Sequence, residues 1–222
     1  MIITRTPFRI SFFGGGTDYP VWYQDNGGVV LATTIDKYCY ISCRHLPPFF
    51  EYKHRIVYSR IENVHRVDEI EHPAVRAILS WADCDEGLEI HHDGDLPARS
   101  GLGSSSSFTV GLVQALAALE GQYTSKEELA KNAIHIEQHI IKEAVGSQDQ
   151  ISAAFGGFNR IEFMRNDTFQ VSPIRSDNWF RFRQTWALAG SSSIRMGLVS
   201  PIALVTNRKR PSSTGRMTGS NS

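Results

Sequence analysis

A glycine- and serine-rich stretch, LPARSGLGSSSSF from Leu96 to Phe108, has the clearest potential for chemistry in this sequence. It leads into an apolar repeat at Phe108, Leu112, Leu116 and Leu119, whose spacing of three and four residues predicts a helix. The first N–H groups of a helix lack partners within it and carry partial positive charge. Glycines before them let a ligand approach the backbone closely. The stretch therefore predicts a cradle for phosphate groups, with serine hydroxyls as further donors.

Two simpler interpretations of this stretch remain beside the phosphate cradle. It could be a flexible linker, although a linker has no reason to lead straight into an amphipathic helix. It could also be a serine-rich helix cap that binds no ligand. Three familiar motifs fail, because no Lys follows Gly103 as in a P-loop, Ser106 replaces the third glycine of a dinucleotide loop, and no serine has the flanking glycines of a hydrolase elbow.

Three segments in this order resemble the signatures of the GHMP kinases, which include galactokinase, homoserine kinase, mevalonate kinase and phosphomevalonate kinase. The segments are TPFRISFFGGGTDYP, PARSGLGSSSS and AVGSQDQ. The likeness covers about residues 1–175 and is nearest to the sugar 1-kinases of the family, through FFGGGTD, TIDKY, DEIEHP and GLGSSSSFTVGL. It implies an α+β fold, the GHMP kinase N-terminal domain (ribosomal protein S5 domain 2-like), with a mixed sheet and helices on one face.

The resemblance also implies residues that bind nucleotide and metal. Those for the nucleotide are Pro97, Gly101, Leu102, Gly103, Ser104, Ser105 and Ser106. Mg²⁺ would be ligated by Ser105 and Glu137, which are oxygen donors of the kind that this ion prefers beside phosphate. The alternative for Glu137 is a solvated carboxylate on a helix face. Its position is offset from the expected buried stripe of Leu129, Ala133, Ile136 and Ile140.

On the acceptor side, the resemblance makes Asp149 the group that orients a sugar hydroxyl and takes its proton, with Arg9 as its catalytic partner. The implied substrate-binding residues are Arg9, Gly15, Gly16, Thr17 and Asp18. The alternatives are a helix-capping Asp149, a strand-edge Arg9 and a turn-capping Asp18. Ala144 and Ser147 depart from the Pro and Lys that relatives often have before the aspartate, which weakens an expected anion contact.

Other residues and the composition narrow the function further. His135 and His139 lack the adjacent glutamate of a zinc-protease helix, so no zinc site is expected there. Cys39 and Cys43 lie in a strand-like run, where four residues span about 13 Å, too far for a disulfide. Three cysteines in 222 residues favour a reducing, cytoplasmic compartment. Equal numbers of basic and acidic residues, 23 each, and no long apolar run predict neither a nucleic-acid nor a membrane partner.

The periodicity of the chain predicts further elements. A second helix is expected to open at Thr124, with Thr124 and Glu127 or Ser125 and Glu128 as its capping box. Ala144–Gln150, which contains Asp149, is expected to be a loop after that helix or the start of a further helix. The remaining elements are a strand at Ile2–Phe13, a hairpin of Val29–Ile35 and Tyr38–Cys43 turning near Asp36-Lys37, a strand at Arg55–Arg60, a helix at Pro73–Ala82, a strand at Gly87–His92, and a hairpin of Gly157–Met164 and Thr168–Ile174 turned by Asn166-Asp167.

The end of the chain differs in composition from the rest. Residues 178–222 contain no Asp or Glu and seven Lys or Arg, whereas all 23 acidic residues lie in 1–177. We expect a nucleotide-binding domain over 1–183 and a disordered or non-native tail over 184–222. The third glycine-rich signature of the family is not found after residue 183, so the expectation is a truncated kinase whose second domain is absent. A native basic tail for an anionic partner is the alternative.

Together these observations predict an ATP- and Mg²⁺-dependent kinase that phosphorylates a sugar hydroxyl, the anomeric hydroxyl of a heptose 7-phosphate. Positioning and charge stabilisation, rather than a covalent enzyme intermediate, would provide catalysis. The first alternative is a catalytically weak protein that binds nucleotide or sugar phosphate. The second is a hydrolase that uses a serine of the loop. The sequence predicts no particular oligomeric state.

Overall fold

The computed structural model of the protein describes residues 1–97 and 100–174, together with the backbone of 202–205. A 3-10 turn lies at Val67–Glu69 and a π-helical turn at Ile136–Ile140. The other elements, in chain order, are β1 (Ile2–Phe13), α1 (Pro20–Asn26), β2 (Gly28–His45), β3 (His54–Val57), β4 (Ile61–Val64), α2 (Pro73–Trp81), β5 (Leu88–Gly94), α3 (Ser104–Leu119), α4 (Lys126–His135), α5 (Gln148–Phe155), β6 (Phe158–Phe163), β7 (Phe169–Pro173) and β8 (Ile202–Val205).

The strands form one mixed sheet in the order β4-β3-β5-β2-β1-β8, while β6 pairs with β2 and carries β7. Among the described strands, β3 and β5 form the one parallel pair, and the other pairs are antiparallel. Helices α3 and α5 pack on β1 and β2, and α2 and α4 pack against α3. The expected α+β class with a mixed sheet is confirmed. The core lies between β1, β2 and these helices.

β2 is one continuous strand, so the predicted hairpin of Val29–Ile35 and Tyr38–Cys43 is wrong. In the pairing with β1, Pro7 lies opposite Tyr38 and Arg9 lies opposite Thr34. Three residues of β2, including Asp36-Lys37, therefore face Phe8 alone. The polar pair marks a β-bulge rather than a turn, and a bulge bends a strand. The first part of β2 accordingly pairs with β6 and the second part with β5.

Close packing explains how α3 lies against β1, and capping explains where α4 begins. Gly111 lets α3 approach β1, because a Cβ there would lie 2.8 Å from Thr6 Oγ1. Thr4 Oγ1 also donates to the Gly111 carbonyl at 3.0 Å. α4 begins after Ser125, whose side chain accepts the Glu128 N–H, so the second of the two capping pairs is used.

The π-helical turn at Ile136–Ile140 corrects the predicted buried stripe of the second helix. Leu129, Ala133 and Ile136 are buried as expected. A π-turn holds one residue more than an α-turn, so the residues that follow it rotate away from the original face. Ile140 is consequently 37% exposed, and Glu137 instead has no exposed surface.

The other local predictions agree with the structure, with small shifts of boundary. β6 and β7 form the predicted hairpin, and Asp167 adopts the positive φ of 59° at its turn. Cys39 and Cys43 are free and buried, and burial raises the pKa of each thiol to about 12. β4 has no counterpart among the predicted elements.

Most of the expected tail lies outside the described residues, as does the predicted boundary at residue 183. Within it, the backbone of 202–205 forms β8, which pairs antiparallel with the start of β1 and was not predicted. The described part of the chain contains no helix with the length and apolar character needed to cross a bilayer.

Candidate active site

Arg9, the first residue of β1 after the bulge, connects three separate segments. Its Nε and Nη2 donate to the two carboxylate oxygens of Asp149, both at 2.6 Å. Its Nη1 donates to the carbonyl of Gly101 at 2.8 Å, and its backbone N–H donates to the carbonyl of Leu102 at 3.0 Å. The planar guanidinium matches a carboxylate bidentately, which sets the direction of both side chains. β1, the glycine-rich loop and α5 therefore meet at one side chain.

Asp149 lies in the first turn of α5, so of the two predictions for Ala144–Gln150 the helix start describes its position. A negative charge is favourable at a helix N-terminus because of the unpaired N–H groups there. The side chain is 23% exposed, so it is not sealed behind Arg9. Each carboxylate oxygen has two lone pairs and gives only one to Arg9. Asp149 can thus accept a hydroxyl hydrogen bond while Arg9 holds it.

The glycine-rich loop closes against this ion pair. Gly101 and Gly103 have φ of +74° and +77°, values that side chains disfavour. A Cβ on Gly103 would lie 3.2 Å from Arg9 Cγ and 3.4 Å from Asp149 Oδ2. α3 begins at the next residue, and its N-cap residue, Gly103, has no side chain that could cap it. The N-terminus of α3 therefore opens beside the Arg9–Asp149 pair, as the phosphate-cradle interpretation requires.

The serines of this helix end point in different directions. Ser105 is exposed, whereas Ser106 is buried and its hydroxyl donates to Glu137 Oε2 at 2.8 Å. The hydroxyl of Ser107 donates to the Pro7 carbonyl at 2.9 Å. The structure thus brings Glu137 to Ser106 rather than to Ser105, its predicted partner in a metal site. Glu137 is also not the solvated carboxylate of the alternative interpretation, because the π-helical turn directs it into the core.

Glu137 is a buried carboxylate with incomplete hydrogen bonding. Gln150 of α5 donates to its Oε2, together with Ser106. Its Oε1 has no hydrogen-bond partner among the described residues. Burial raises the pKa of Glu137, and the Thr109 hydroxyl, the Ser106 hydroxyl and the Gln150 amide oppose that shift. Gln150 was not predicted as part of the site; its place in AVGSQDQ, beside Asp149, was the available signal.

Asp18 is fully buried and positions the start of α5. Its Oδ1 accepts the Gly16 N–H at 2.9 Å and its Oδ2 accepts the Gln148 N–H at 3.2 Å. Its carbonyl accepts the Ser147 N–H at 3.0 Å. A Cβ on Gly146 would lie 1.9 Å from Asp18 Oδ2, so only glycine fits there. Asp18 thus has the turn-capping role of the alternative interpretation, and its predicted contact with substrate stays a prediction.

Thr17, also predicted to bind substrate, stabilises the glycine turn from within. Its hydroxyl donates to the Gly14 carbonyl at 2.7 Å and accepts the Val29 N–H at 3.2 Å. Gly14 is in turn required, since a Cβ there would lie 1.9 Å from the Val29 carbonyl oxygen. Gly15 and Gly16 are exposed at the top of the turn.

A cavity of about 460 Å³ opens between this turn and the glycine-rich loop. That volume falls in the range of small-molecule sites. Its polar lining comes from Arg9, Ser11 and Gln148, and the backbones of Gly15 and Gly101 complete it. Ser11 and Gln148 were not predicted as site residues, although both lie within the quoted segments TPFRISFFGGGTDYP and AVGSQDQ. Of the predicted residues, Arg9, Gly15, Gly101 and Leu102 line this space, and Arg9 connects it to Asp149.

A glycine-rich loop at a helix N-terminus, facing an arginine–aspartate pair, defines an α+β domain that can hold an anion beside a carboxylate. Residues 67–157 match the family model for the GHMP kinases N terminal domain. The chain carries a GHMP kinase N-terminal domain, which confirms the resemblance found in the sequence.

Individual relatives agree with that assignment. The chain is 32% identical over 189 residues to D-glycero-alpha-D-manno-heptose 7-phosphate kinase of Campylobacter jejuni, covering 80% of this chain and 55% of that protein. It is 26% identical over 191 residues to galactokinase of Thermotoga maritima, covering 79% and 50%. The crystal structure of a D-glycero-D-manno-heptose 1-phosphate kinase from Bacteroides thetaiotaomicron matches with a TM-score of 0.73 and 26% identity, covering 82% of this chain and 63% of that one. The chain spans about half the length of the curated relatives it matches.

Proposed function

We propose that this protein transfers the γ-phosphoryl group of ATP to a sugar hydroxyl, with the anomeric hydroxyl of a heptose 7-phosphate as acceptor. The observation that carries the proposal is the bidentate Arg9–Asp149 pair, whose oxygens lie beside the glycine loop and the N-terminus of α3. The names of the Campylobacter and Bacteroides relatives supply the heptose phosphate. Both substrates are metabolites of the cytoplasm, which we propose as the location.

The nucleotide would be held by backbone rather than by a lysine. Gly101 and Gly103 give the loop its positive φ values, and Ser104 opens α3 directly after them. Oriented N–H groups at a helix start favour phosphate oxygens and cost no reorganisation when the ligand arrives. Leu102, Ser105, Ser106 and the exposed Pro97 complete the proposed nucleotide set.

Asp149 would act on the acceptor. Its free lone pairs accept a hydrogen bond from the sugar hydroxyl, and the proton passes to the carboxylate as the hydroxyl oxygen bonds to the γ-phosphorus. The bond from that phosphorus to the leaving oxygen of ADP breaks in the same displacement. Arg9 keeps the carboxylate aimed at the acceptor and balances its charge. The domain thus contributes position and charge, which are the main terms in phosphoryl transfer.

Mg²⁺ fits the donor set around Glu137. Carboxylate and hydroxyl oxygens are ligands of the type it prefers, and Glu137 Oε1 has no protein partner among the described residues. Glu137, together with Ser106 or the exposed Ser105, would hold the ion. When bound, the ion would neutralise charge on the phosphate oxygens. Gln150 and Ser106 orient the Glu137 carboxylate through their hydrogen bonds.

The same geometry also supports a protein that binds nucleotide and sugar phosphate without turnover. ATP turnover assays with heptose 7-phosphate, galactose and mannose separate the two functions. We expect turnover with heptose 7-phosphate, and Asp149→Asn should lower kcat by about 10²-fold or more at unchanged ATP affinity. ATP binding by calorimetry with no phosphorylated sugar would favour the binding protein. If Asp149→Asn lowered ATP affinity as much as it lowers kcat, Asp149 would instead be a residue that binds the nucleotide.

The hydrolase alternative has less support. A nucleophilic serine needs a base that receives its proton. Ser106 donates to the Glu137 carboxylate, but both side chains are buried, so the Ser106 oxygen is not exposed for attack on a substrate. Ser107 donates to the Pro7 carbonyl, which cannot act as a base. A serine-reactive probe tests this alternative, and we expect no labelling of the loop.

A further inference from the structure

Gln148 is the first residue of α5 and immediately precedes Asp149. Its backbone N–H donates to Asp18 Oδ2 at 3.2 Å, which connects the start of α5 to the glycine turn. Asp18 thus holds Gln148 and Asp149 in one rigid unit. Gln148 lines the 460 Å³ cavity together with Arg9 and Gly15.

The Gln148 side-chain amide has an unpaired oxygen in the described part of the chain. Its Oε1 is buried and has no hydrogen-bond partner among the described residues. Buried polar atoms are nearly always paired, so an unpaired one inside a cavity wall calls for an explanation. The two nearby glutamines differ: Gln138 donates to the Val145 carbonyl and to Ser147 Oγ, and Gln150 donates to Glu137. Only Gln148 of these three has an amide with no such bond to the fold.

The space beside the amide is kept open by a glycine. A Cβ on Gly15 would lie 3.7 Å from Gln148 Nε2 and 4.0 Å from Ser11 Oγ. A larger residue at Gly15 would fill the gap between those two polar groups. With glycine there, the amide faces a cavity in which Arg9 already uses Nε, Nη1 and Nη2 on Asp149 and Gly101.

The chemistry of a carboxamide indicates what it would bind. It is neutral and offers both a donor and an acceptor, a combination that matches a hydroxyl better than a phosphate dianion. Exchanging its N and O positions leaves this property unchanged. Arg9 lines the cavity beside Gln148 and also holds Asp149, so Gln148 and Asp149 can engage neighbouring hydroxyls of one ligand.

We propose that Gln148 is a specificity-determining residue, whose amide binds the hydroxyl on the carbon next to the one that is phosphorylated. The inference rests on the proposed function, since it takes Asp149 as the group at the acceptor hydroxyl. A sugar with that neighbouring hydroxyl satisfies the amide. A sugar that lacks it leaves the amide unpaired in the cavity, and the site rejects it for that reason.

The test is a cycle of protein and ligand changes on the full chain. Wild type and Gln148→Ala are compared on heptose 7-phosphate and on its monodeoxy analogues, by kcat/KM and by calorimetric Kd for the sugar. We expect Gln148→Ala to weaken the full sugar by about tenfold or more, the size of one hydrogen bond, and to leave the analogue deoxygenated at the neighbouring carbon unchanged. ATP affinity and melting temperature should stay at wild-type values. Gln24→Ala is the control, because Gln24 bonds only to the exposed Asp167 in the described structure.

Several results would overturn the proposal. Equal losses on all sugars, coupling to a different hydroxyl, or a loss of ATP affinity would each do so. The calorimetric readout separates this inference from the proposed function. If the wild-type protein shows no turnover, but Gln148→Ala still weakens sugar binding through the neighbouring hydroxyl, the kinase activity is ruled out and the role of Gln148 is kept. Absent sugar binding in wild type removes both.

Discussion

Arg9 and Asp149 are 140 positions apart in the sequence and form a two-pronged ion pair, with both N–O distances at 2.6 Å. The pair is the place where β1, the glycine-rich loop and α5 meet. Neither side chain is sealed from solvent, since they are 13% and 23% exposed. An ion pair that stays accessible between a helix N-terminus and an open cavity can act on a ligand as well as stabilise the fold.

The several N–H donors of the Arg9 guanidinium should matter more for turnover and stability than its positive charge does. Arg9→Lys keeps a cation but cannot donate to both Asp149 oxygens and to Gly101 at once. We expect turnover to fall at least tenfold and the free energy of unfolding to fall by about 1–3 kcal/mol, the cost of losing charge-assisted hydrogen bonds. Steady-state kinetics and urea denaturation measure the two effects. Arg66→Lys is the matched control, because Arg66 forms an exposed pair with Asp68 away from the site, and it should change neither quantity.

Gly103→Val should abolish ATP binding. The residue has φ +77°, and a side chain there would press on Arg9 and Asp149. Gly121→Val separates this effect from simple backbone strain, since Gly121 has φ +73° at the far end of α3 and nothing within 4 Å. Calorimetric titration with ATP should show binding by the second variant only. Wild-type affinity in a folded Gly103→Val protein would end the assignment of the loop to phosphate.

Glu137→Gln should stabilise the protein at neutral pH while impairing its use of magnesium. Burial raises the pKa of Glu137, so the native state binds a proton more readily than the unfolded chain. Stability therefore falls as the pH rises from the ordinary value of 4.5 through the raised pKa, and glutamine removes that loss. Chemical denaturation between pH 4.5 and 8 measures the slope.

The magnesium concentration for half-maximal activity should rise in Glu137→Gln more than the sugar KM does. Glu127→Gln, on the exposed side of α4, should reproduce neither effect. A variant with unchanged magnesium dependence would leave Glu137 as a structural group.

His72 and His92 should make the domain less stable below about pH 6.5. His72 Nδ1 accepts the Val75 N–H at the start of α2, and its ring stacks on Phe108 of α3 at 5.1 Å, while His92 meets the same ring edge-on at 4.9 Å. Burial lowers the pKa of both histidines, so the unfolded chain binds more protons and stability declines as the pH falls below the ordinary value of 6.5.

His72→Asn keeps a capping side chain and removes one titrating ring. Melting temperatures between pH 5 and 8 should therefore fall less in this variant than in wild type. His65→Asn, at an exposed position, should follow the wild-type profile. An identical pH dependence in His72→Asn and wild type would contradict this account.

The sequence by itself determined the features that neighbouring residues encode. The glycine–serine loop before an apolar repeat, the Ser125 cap and the Asn166-Asp167 turn each depend on residues a few positions apart, and each is present in the structure. The three quoted segments also indicated which distant residues share one site. Short-range conformational preferences and the motifs of a family can both be recognised in a single sequence.

Only the tertiary structure decided how those residues are used. Asp36-Lys37 forms a bulge because β2 pairs with β1 along its length, and no local pattern distinguishes that from a turn. Glu137 is buried because a π-helical turn directs it at Ser106 and Gln150. Asp18 is enclosed because Gly146 and the start of α5 pack on it. Each outcome depends on contacts between segments far apart in the chain, whose free energies are comparable to or larger than the local preferences that the sequence displays.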